Sequence, residues 1–297
     1  METVLYILDL ISHAFLHAVE HSLPLLPFLL LTYLLMELLE HKGGDRAQRM
    51  IRRAGNAGPL VGGLLGALPQ CGFAAAAASL YAARILSLGT LYAVFLSSSD
   101  EMLAVMLASG VSPLRILKIL GVKVTVGIVL GFLTDLFLRF VLRRPLITEA
   151  DTDLCEAEGC HCENGIFRSA LFHTLKVFLF VILASFSLNV IIELVGEATL
   201  AAFLSAVPFI GPIVAALVGL IPNCAASVVI TELYLSEAIS AGTMLAGLLT
   251  GSGVGILILY RTNKNLSENL IFTAVLYAFG AATGILLDLC NVGALLL

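Results

Sequence analysis

The chain has 297 residues, of which 59% are hydrophobic and 12% are charged, and its mean hydropathy is +1.02. Soluble domains carry about 25% charged residues, and apolar runs of roughly 20 residues are long enough to cross a bilayer, so a soluble protein is excluded. The formal net charge of −5 carries little information, because the positions of basic residues matter more in a membrane protein. We predict an all-α, polytopic, non-enzymatic protein of the lipid bilayer, with no cofactor and no nucleic-acid partner.

The first predicted element is a helical stretch from about residue 4 to residue 41, bent near Pro24 and Pro27. Imidazole and carboxylate groups form one stripe on its first part and a cluster at its end, and this mixture suits Mn, Fe or Zn. The candidate metal ligands are His13, His17, Glu20, Glu37, Glu40 and His41. A solvated amphipathic face would show the same stripe, and this interpretation stays open.

Part of this stretch, His17-Ala18-Val19-Glu20-His21, matches the H-x-x-E-H pattern of inverted zinc peptidases. Such a short pattern recurs by chance, and no clear downstream set of carboxylate ligands accompanies it. A membrane metallopeptidase is therefore the weaker alternative from another functional class, and a sensor or scaffold is a further one.

The rest of the chain contains an internal duplication with an offset of 153 residues. The offset aligns Gly58-Pro59 with Gly211-Pro212, Pro69-Gln70-Cys71 with Pro222-Asn223-Cys224, Tyr81 with Tyr234, and Asp135 with Asp288. Many secondary transporters are built from such repeats, with the substrate site at the repeat interface. We divide the chain into a first half, residues 1–144, a hydrophilic loop, residues 145–165, and a second half, residues 166–297.

Each half contains a proline followed by an amide and a thiol, between two short apolar segments. A helix broken at such a point frees backbone groups for a substrate, so we predict that Gln70, Cys71, Asn223 and Cys224 line one cavity. The alternative is that the prolines only kink a helix and the cysteines pack as small apolar residues.

The distribution of basic residues favours a hairpin at each break. If both motifs turn back within the membrane, the basic residues between the predicted spans share one side and only Arg115 and Lys118 oppose them. If both motifs cross once, the same residues divide more evenly. The positive-inside rule thus predicts two inverted five-helix repeats with re-entrant helices, an outside N-terminus and a cytoplasmic 145–165 loop.

A polar run, Ser97-Ser98-Ser99-Asp100-Glu101, interrupts the predicted span 86–109, and its repeat counterpart is Thr250-Gly251-Ser252-Gly253-Val254. Adjacent acids at membrane depth cost several kcal/mol unless they are protonated, paired or bound to a cation. We predict a metal site at Asp100 and Glu101. The substrate-binding candidates here are Ser98, Ser99, Asp100, Glu101, Thr250 and Ser252. Solvation of the acids at an interface is the alternative.

Asp135 and Asp288 occupy equivalent positions near the ends of their spans, each four residues after a glycine. Both are candidates for ion coupling. A structural role as a helix cap or an interhelical hydrogen bond is an equal alternative.

The hydrophilic loop contains three thiols, one imidazole and several acids. Cys155, Cys160, His161 and Cys162 could chelate a soft or borderline metal, although their spacing is not that of a standard zinc finger. An acidic, solvated linker is the alternative.

Several of these motifs together resemble a known bacterial family. The motifs are Leu26-Pro27-Phe28, Thr32-Tyr33-Leu34-Leu35-Met36-Glu37, Pro69-Gln70-Cys71-Gly72-Phe73 and Ser97-Ser98-Ser99-Asp100-Glu101. They are similar to the ten-transmembrane putative heavy-metal exporters, whose members are labelled manganese transporters or arsenic efflux proteins. Ser98 departs from the threonine expected at that position.

The resemblance implies a multi-pass protein of the bacterial inner membrane that exports a metal or metalloid ion. We expect secondary transport, with H⁺ or Na⁺ as the coupling ion and a homodimer as one assembly. Carboxylates at depth favour Mn²⁺ or a related divalent cation, whereas Cys71 and Cys224 would suit an arsenical.

Overall fold

The computed structural model describes residues 57–68, 72–141, 166–195 and 210–290, together with scattered positions between 15 and 34. Within these ranges the fold is all-helical and contains no strand. The helices are α1 Gly58–Gly66, α2 Gly72–Ala82, α3 Leu88–Ser97, α4 Asp100–Ala108, α5 Pro113–Phe140, α6 Ile166–Val195, α7 Gly211–Gly219, α8 Cys224–Leu235, α9 Ala241–Thr250, α10 Gly255–Thr262 and α11 Leu266–Leu289.

Local sequence explains where these helices begin. Proline occupies the first turn of α1 and α7, where its missing N–H costs nothing. Ser87 and Ser240 cap α3 and α9 by accepting hydrogen bonds from the backbone N–H groups of Thr90 and Thr243. The caps lie 153 residues apart, so the duplication extends to the helix boundaries.

Four segments are long and apolar enough to cross a membrane by length and composition: Leu88–Ala108, Pro113–Phe140, Ala241–Thr262 and Leu266–Leu289. The first consists of α3 and α4, and the third of α9 and α10. Large apolar side chains such as Phe132, Phe137 and Leu270 remain exposed on α5 and α11. A lipid environment accounts for such surfaces, and the chain is a multi-pass membrane protein.

Helices α3 and α9 form the buried centre of the molecule, and every residue of α9 is buried. In the first half α1 and α5 pack on α3, and in the second half α7 and α11 pack on α9 in the same way. The halves meet through α2 against α10 and α4 against α8, contacts that the duplication also relates. Tyr92 and Phe272 stack across this junction with ring centroids 4.6 Å apart.

The contacts of α1 and α5 give the course of the chain within the first half. Gly58 lies against Thr90 and Gly66 against Ser97, so α1 runs alongside α3 in the same direction. Gly127 lies against Ser97 and Gly131 against Gly89, so α5 runs back antiparallel to α3.

Close approach of α3 and α5 depends on a glycine at position 131. A Cβ there would lie 2.6 Å from the Gly89 carbonyl oxygen, and one on the equivalent Gly284 would lie 2.5 Å from the Gly242 oxygen. Small residues at helix crossings allow this packing in membranes.

We therefore expect Gly131→Ala to lower the free energy of unfolding by about 1–3 kcal/mol through overpacking. The measurement is thermal unfolding of the purified protein in detergent. Gly121→Ala on the same helix is the matched control, because a Cβ at Gly121 meets nothing within 4 Å. Equal melting temperatures for the two variants would contradict the packing argument.

Candidate functional site at the central helix breaks

Both long central segments are broken in the middle of the molecule. Ser98 and Ser99 separate α3 from α4, and residues 251–254 separate α9 from α10. The hydroxyl residues at these breaks are buried, with Ser97 and Thr250 fully enclosed. The serine run is thus a break between two helices, and a corresponding break occurs in the second half.

Hydroxyl groups connect these breaks to the neighbouring short helices. Ser99 Oγ donates a hydrogen bond to the Ala67 carbonyl oxygen at 2.8 Å, directly after α1. Thr250 Oγ1 donates to the Ala216 carbonyl oxygen of α7 at 2.8 Å. Backbone carbonyls that leave the helical pattern away from water need such partners. Each half therefore holds its central break against its own proline-containing motif.

The starts of α2 and α10 meet at the junction of the halves. Gly255, the first residue of α10, lies against Ala74 near the start of α2. On the other side, Ser227 of α8 lies against Gly251 at the second break. Positive ends of short helices and the carbonyl ends of α3 and α9 thus converge in one region, the arrangement with which transporters hold ions.

One charged side chain joins the two breaks. Lys123 of α5 is only 1% exposed, and its ammonium donates to the Ser98 carbonyl oxygen and, at 2.9 Å, to the Leu248 carbonyl oxygen. The first acceptor belongs to the first half and the second to the second half. Both breaks consequently lie within reach of a single ammonium group. We call Lys123 with these two carbonyls the central junction.

Lys123 was not among the residues that the motifs predicted to be functional. A lysine within the apolar middle part of a membrane-length helix is itself a signal of function, because an ionised side chain at that depth is expensive. Its repeat counterpart is Leu276. The lysine is therefore not repeated, and comparison of the two halves does not reveal it.

The predicted site residues divide into those that the structure brings together and those that it does not describe. Ser98, Ser99, Thr250 and Ser252 are buried at the two breaks. The backbone of Asp100 and Glu101 forms the first turn of α4, directly after the first break, and Cys224 begins α8. Outside the described residues lie His13, His17, Glu20, Glu37, Glu40, His41, Gln70, Cys71, Cys155, Cys160, His161 and Cys162, as do the side chains of Asp100, Glu101 and Cys224.

Within the set of side chains that the structure describes, no three His, Cys, Asp or Glu side chains lie close enough together to hold a metal ion. The proposed metal ligands fall outside that set, so their grouping stays a prediction. Asn223 is described, and it is half-buried directly before α8.

Asp135 and Asp288 have the same surroundings in the two halves. Asp135 accepts hydrogen bonds from Ser87 Oγ at 2.7 Å and from the Gly89 backbone N–H at 2.8 Å. Asp288 accepts from Ser240 Oγ at 2.7 Å and from the Gly242 N–H at 2.9 Å. Each carboxylate completes the cap of a central helix, which is the structural alternative stated above. Participation in ion coupling stays a prediction.

A family model described as "Putative, 10TM heavy-metal exporter" matches residues 7–164, just over half of the chain. The chain belongs to this family. The membership agrees with the apolar, all-helical fold and supports a role in metal efflux. Searches of curated proteins and of solved structures found no match.

Ser99 and Ser252, which lie within the two breaks, provide a direct test of the geometry. We expect Ser99→Ala to lower the free energy of unfolding by about 1 kcal/mol, because it removes the hydrogen bond to Ala67. Ser252→Ala should leave stability unchanged or raise it, since the buried Ser252 hydroxyl has no hydrogen-bond partner among the described residues. Thermal unfolding in detergent measures both, and an equal loss in the two variants would contradict the assigned contacts.

Proposed function

We propose that the protein is a secondary transporter that exports a divalent metal cation, with Mn²⁺ favoured, across the bacterial inner membrane. The observation that carries the proposal is the central junction, where broken helices from two repeated halves meet away from the surface. Substrate sites of secondary transporters lie at such repeat interfaces. Membership of a heavy-metal exporter family supports the class of cargo.

Transport by this route requires the halves to be inverted relative to each other, and the contacts between them support that arrangement. Arg84, which precedes α3, contacts Glu268, which follows α10. Arg115, which follows α4, contacts Tyr234, which precedes α9. The start of one broken segment therefore lies beside the end of the other in both places, as expected if the segments run in opposite directions.

The parallel course of α1 and α3 supports the proposal that the two proline motifs are re-entrant hairpins. An α1–α2 pair that leaves and returns at one level would bring Pro69-Gln70-Cys71 to the depth of the central junction. The matching pair α7–α8 would do the same for Asn223 and Cys224 from the opposite side. Irregular backbone at this depth is tolerated where it lines a protein-walled cavity.

The proposed cation ligands are the carboxylates and hydroxyls at the central breaks. Asp100 and Glu101 would provide the negative charge, while Ser98, Ser99, Thr250 and Ser252 would add oxygen atoms. Hard oxygen ligands of this kind suit Mn²⁺ and related cations. Export would begin at the Glu37, Glu40 and His41 surface with the cysteine loop, and H⁺ or Na⁺ movement would drive it.

An arsenical is the second candidate cargo. Cys71 and Cys224 occupy matching positions at the two proline motifs, and Cys224 is the first residue of α8. Two thiols at the repeat interface would bind trivalent arsenic, which prefers soft ligands. A neutral arsenical, however, leaves the acids at positions 100 and 101 without a role.

We expect Asp100→Asn to reduce Mn²⁺ accumulation in inside-out vesicles to the background rate, because it removes one of two negative charges from the proposed site. The double variant Cys71→Ser with Cys224→Ser should retain most of the activity. Glu232→Gln, which alters an exposed acid on α8, is the control. The reverse ranking, with arsenite accumulation lost in the cysteine variant, would sink the manganese assignment.

A further inference from the structure

Lys123 places a fixed positive charge among backbone carbonyls of both halves. Ser98 is the C-cap of α3, and Leu248 lies in the last turn of α9. Carbonyls at helix C-termini carry partial negative charge and point away from the helical hydrogen-bond pattern. Transporters with broken helices use such carbonyls to coordinate Na⁺. The ammonium of Lys123 contacts two carbonyls of this kind, one from each half.

We propose that Lys123 is a tethered cation that replaces a coupling sodium ion at the central junction. The repeat counterpart of Lys123 is Leu276, so the duplicated scaffold carries this charge once. A tethered ammonium satisfies both carbonyls in every conformation that keeps them together, without drawing an ion from solution. Of the two coupling ions proposed above, H⁺ and not Na⁺ would then drive the transport cycle. The conclusion about the coupling ion rests on the proposed transporter function, whereas the filling of the junction by Lys123 does not.

The test uses two substitutions that differ in the space they leave. Lys123→Ala removes the charge and opens a cavity beside the two carbonyls, whereas Lys123→Met removes the charge but fills most of the volume. Both variants should melt at lower temperature than the wild type in choline chloride. Replacing choline with Na⁺ should raise the melting temperature of Lys123→Ala by at least about 2 °C and leave Lys123→Met unchanged.

Lys118→Gln, an exposed position on the same helix, is the matched control and should show no response to Na⁺. If Na⁺ stabilises neither Lys123 variant, the lysine is only a structural anchor and the proposal fails. If both variants fail to fold, the wild-type protein gives the second measurement: its melting temperature should be the same in Na⁺ and in choline, and a higher melting temperature in Na⁺ would overturn the proposal. Melting requires no knowledge of the cargo, so it separates this inference from the proposed function.

A second, independent observation concerns two corners of the molecule that the duplication relates. At the first corner Arg84 forms a two-point ion pair with Glu268, with N···O distances of 2.7 and 2.9 Å. Tyr81 donates a hydrogen bond to the same carboxylate, and Arg84 lies 5.5 Å from the centre of the Tyr81 ring. Hydrogen bonding to Glu268 raises the pKa of the Arg84 guanidinium, so this charge persists at physiological pH.

The second corner contains the same groups with the charges exchanged. The 153-residue offset aligns Arg84 with Glu237, Tyr81 with Tyr234, and Arg115 with Glu268. Arg84 and Glu237 share a left-handed backbone, with φ of 58° and 61°, which non-glycine residues rarely adopt. Arg115 lies 5.3 Å from the centre of the Tyr234 ring and donates to its hydroxyl oxygen at 3.0 Å.

The ion pair, however, is formed at one corner only. Glu237 is exposed, and it makes no ion pair or side-chain hydrogen bond with Arg115 or with any other residue that the structure describes. One corner is therefore closed and its counterpart is open. In a molecule whose two halves exchange conformations, one of two equivalent ion pairs is expected to be formed while the other is broken.

We infer that these corners are reciprocal latches: Arg84 with Glu268 closes one entrance, and Arg115 with Glu237 closes the other after the halves move. Glu268→Gln weakens the closed latch. Hydrogen–deuterium exchange of the purified protein should then increase two-fold or more in residues 83–88 and decrease in residues 236–242. If the Arg84–Glu268 pair stabilised only its own corner, hydrogen–deuterium exchange in residues 236–242 would not decrease.

Glu232→Gln, which alters an exposed acid of the second half, is the control and should change neither segment. The double variant Arg84→Glu with Glu268→Arg should restore wild-type exchange at both corners, because it keeps the pair and reverses its direction. Increased exchange in residues 83–88 with no change in residues 236–242 would overturn the reciprocal assignment. If Glu268→Gln fails to fold, Glu237→Lys is the second variant. It prevents the ion pair with Arg115, so hydrogen–deuterium exchange in residues 83–88 should decrease.

Discussion

Backbone groups that leave a helix at membrane depth have no water to bind, and this constraint governs the centre of the molecule. The chain breaks two long apolar segments there and must supply a partner for each exposed carbonyl. Ser99 and Thr250 satisfy carbonyls within their own halves, and Lys123 satisfies one carbonyl from each half. The buried hydroxyls and the buried ammonium therefore serve the same purpose, which is to supply hydrogen-bond donors to carbonyls at the breaks. Irregular backbone becomes stable only where polar side chains surround it, and such a place can also hold an ion.

The duplication provides a scaffold in which most stabilising contacts occur twice. Caps at Ser87 and Ser240, their carboxylate partners Asp135 and Asp288, and the close helix crossings repeat with nearly the same geometry. Contacts that occur twice hold the two halves in equivalent shapes. A transporter must also distinguish its two sides and its cargo, and this requires positions where the halves differ.

Three such differences stand out. The acids at positions 100 and 101 correspond to Gly253 and Val254, and Lys123 corresponds to Leu276. The third is the exchange of charges between the latch corners. The first two differences give the first half charges of both signs that the second half lacks at the equivalent positions.

Sequence alone determined the class of protein, the family and the duplication. Composition and the 153-residue offset are read directly from the sequence, so they need no knowledge of packing. The role of Asp135 and Asp288 stayed open because a cap and a coupling group have the same sequence signature, and only the approach of α5 and α11 to the central helices showed the hydrogen bonds. Lys123 and the Arg84–Glu268 pair were not found from the motifs. Their partners lie on other helices, 184 residues away in the case of Arg84 and Glu268, and only tertiary packing decides which distant charges and carbonyls meet.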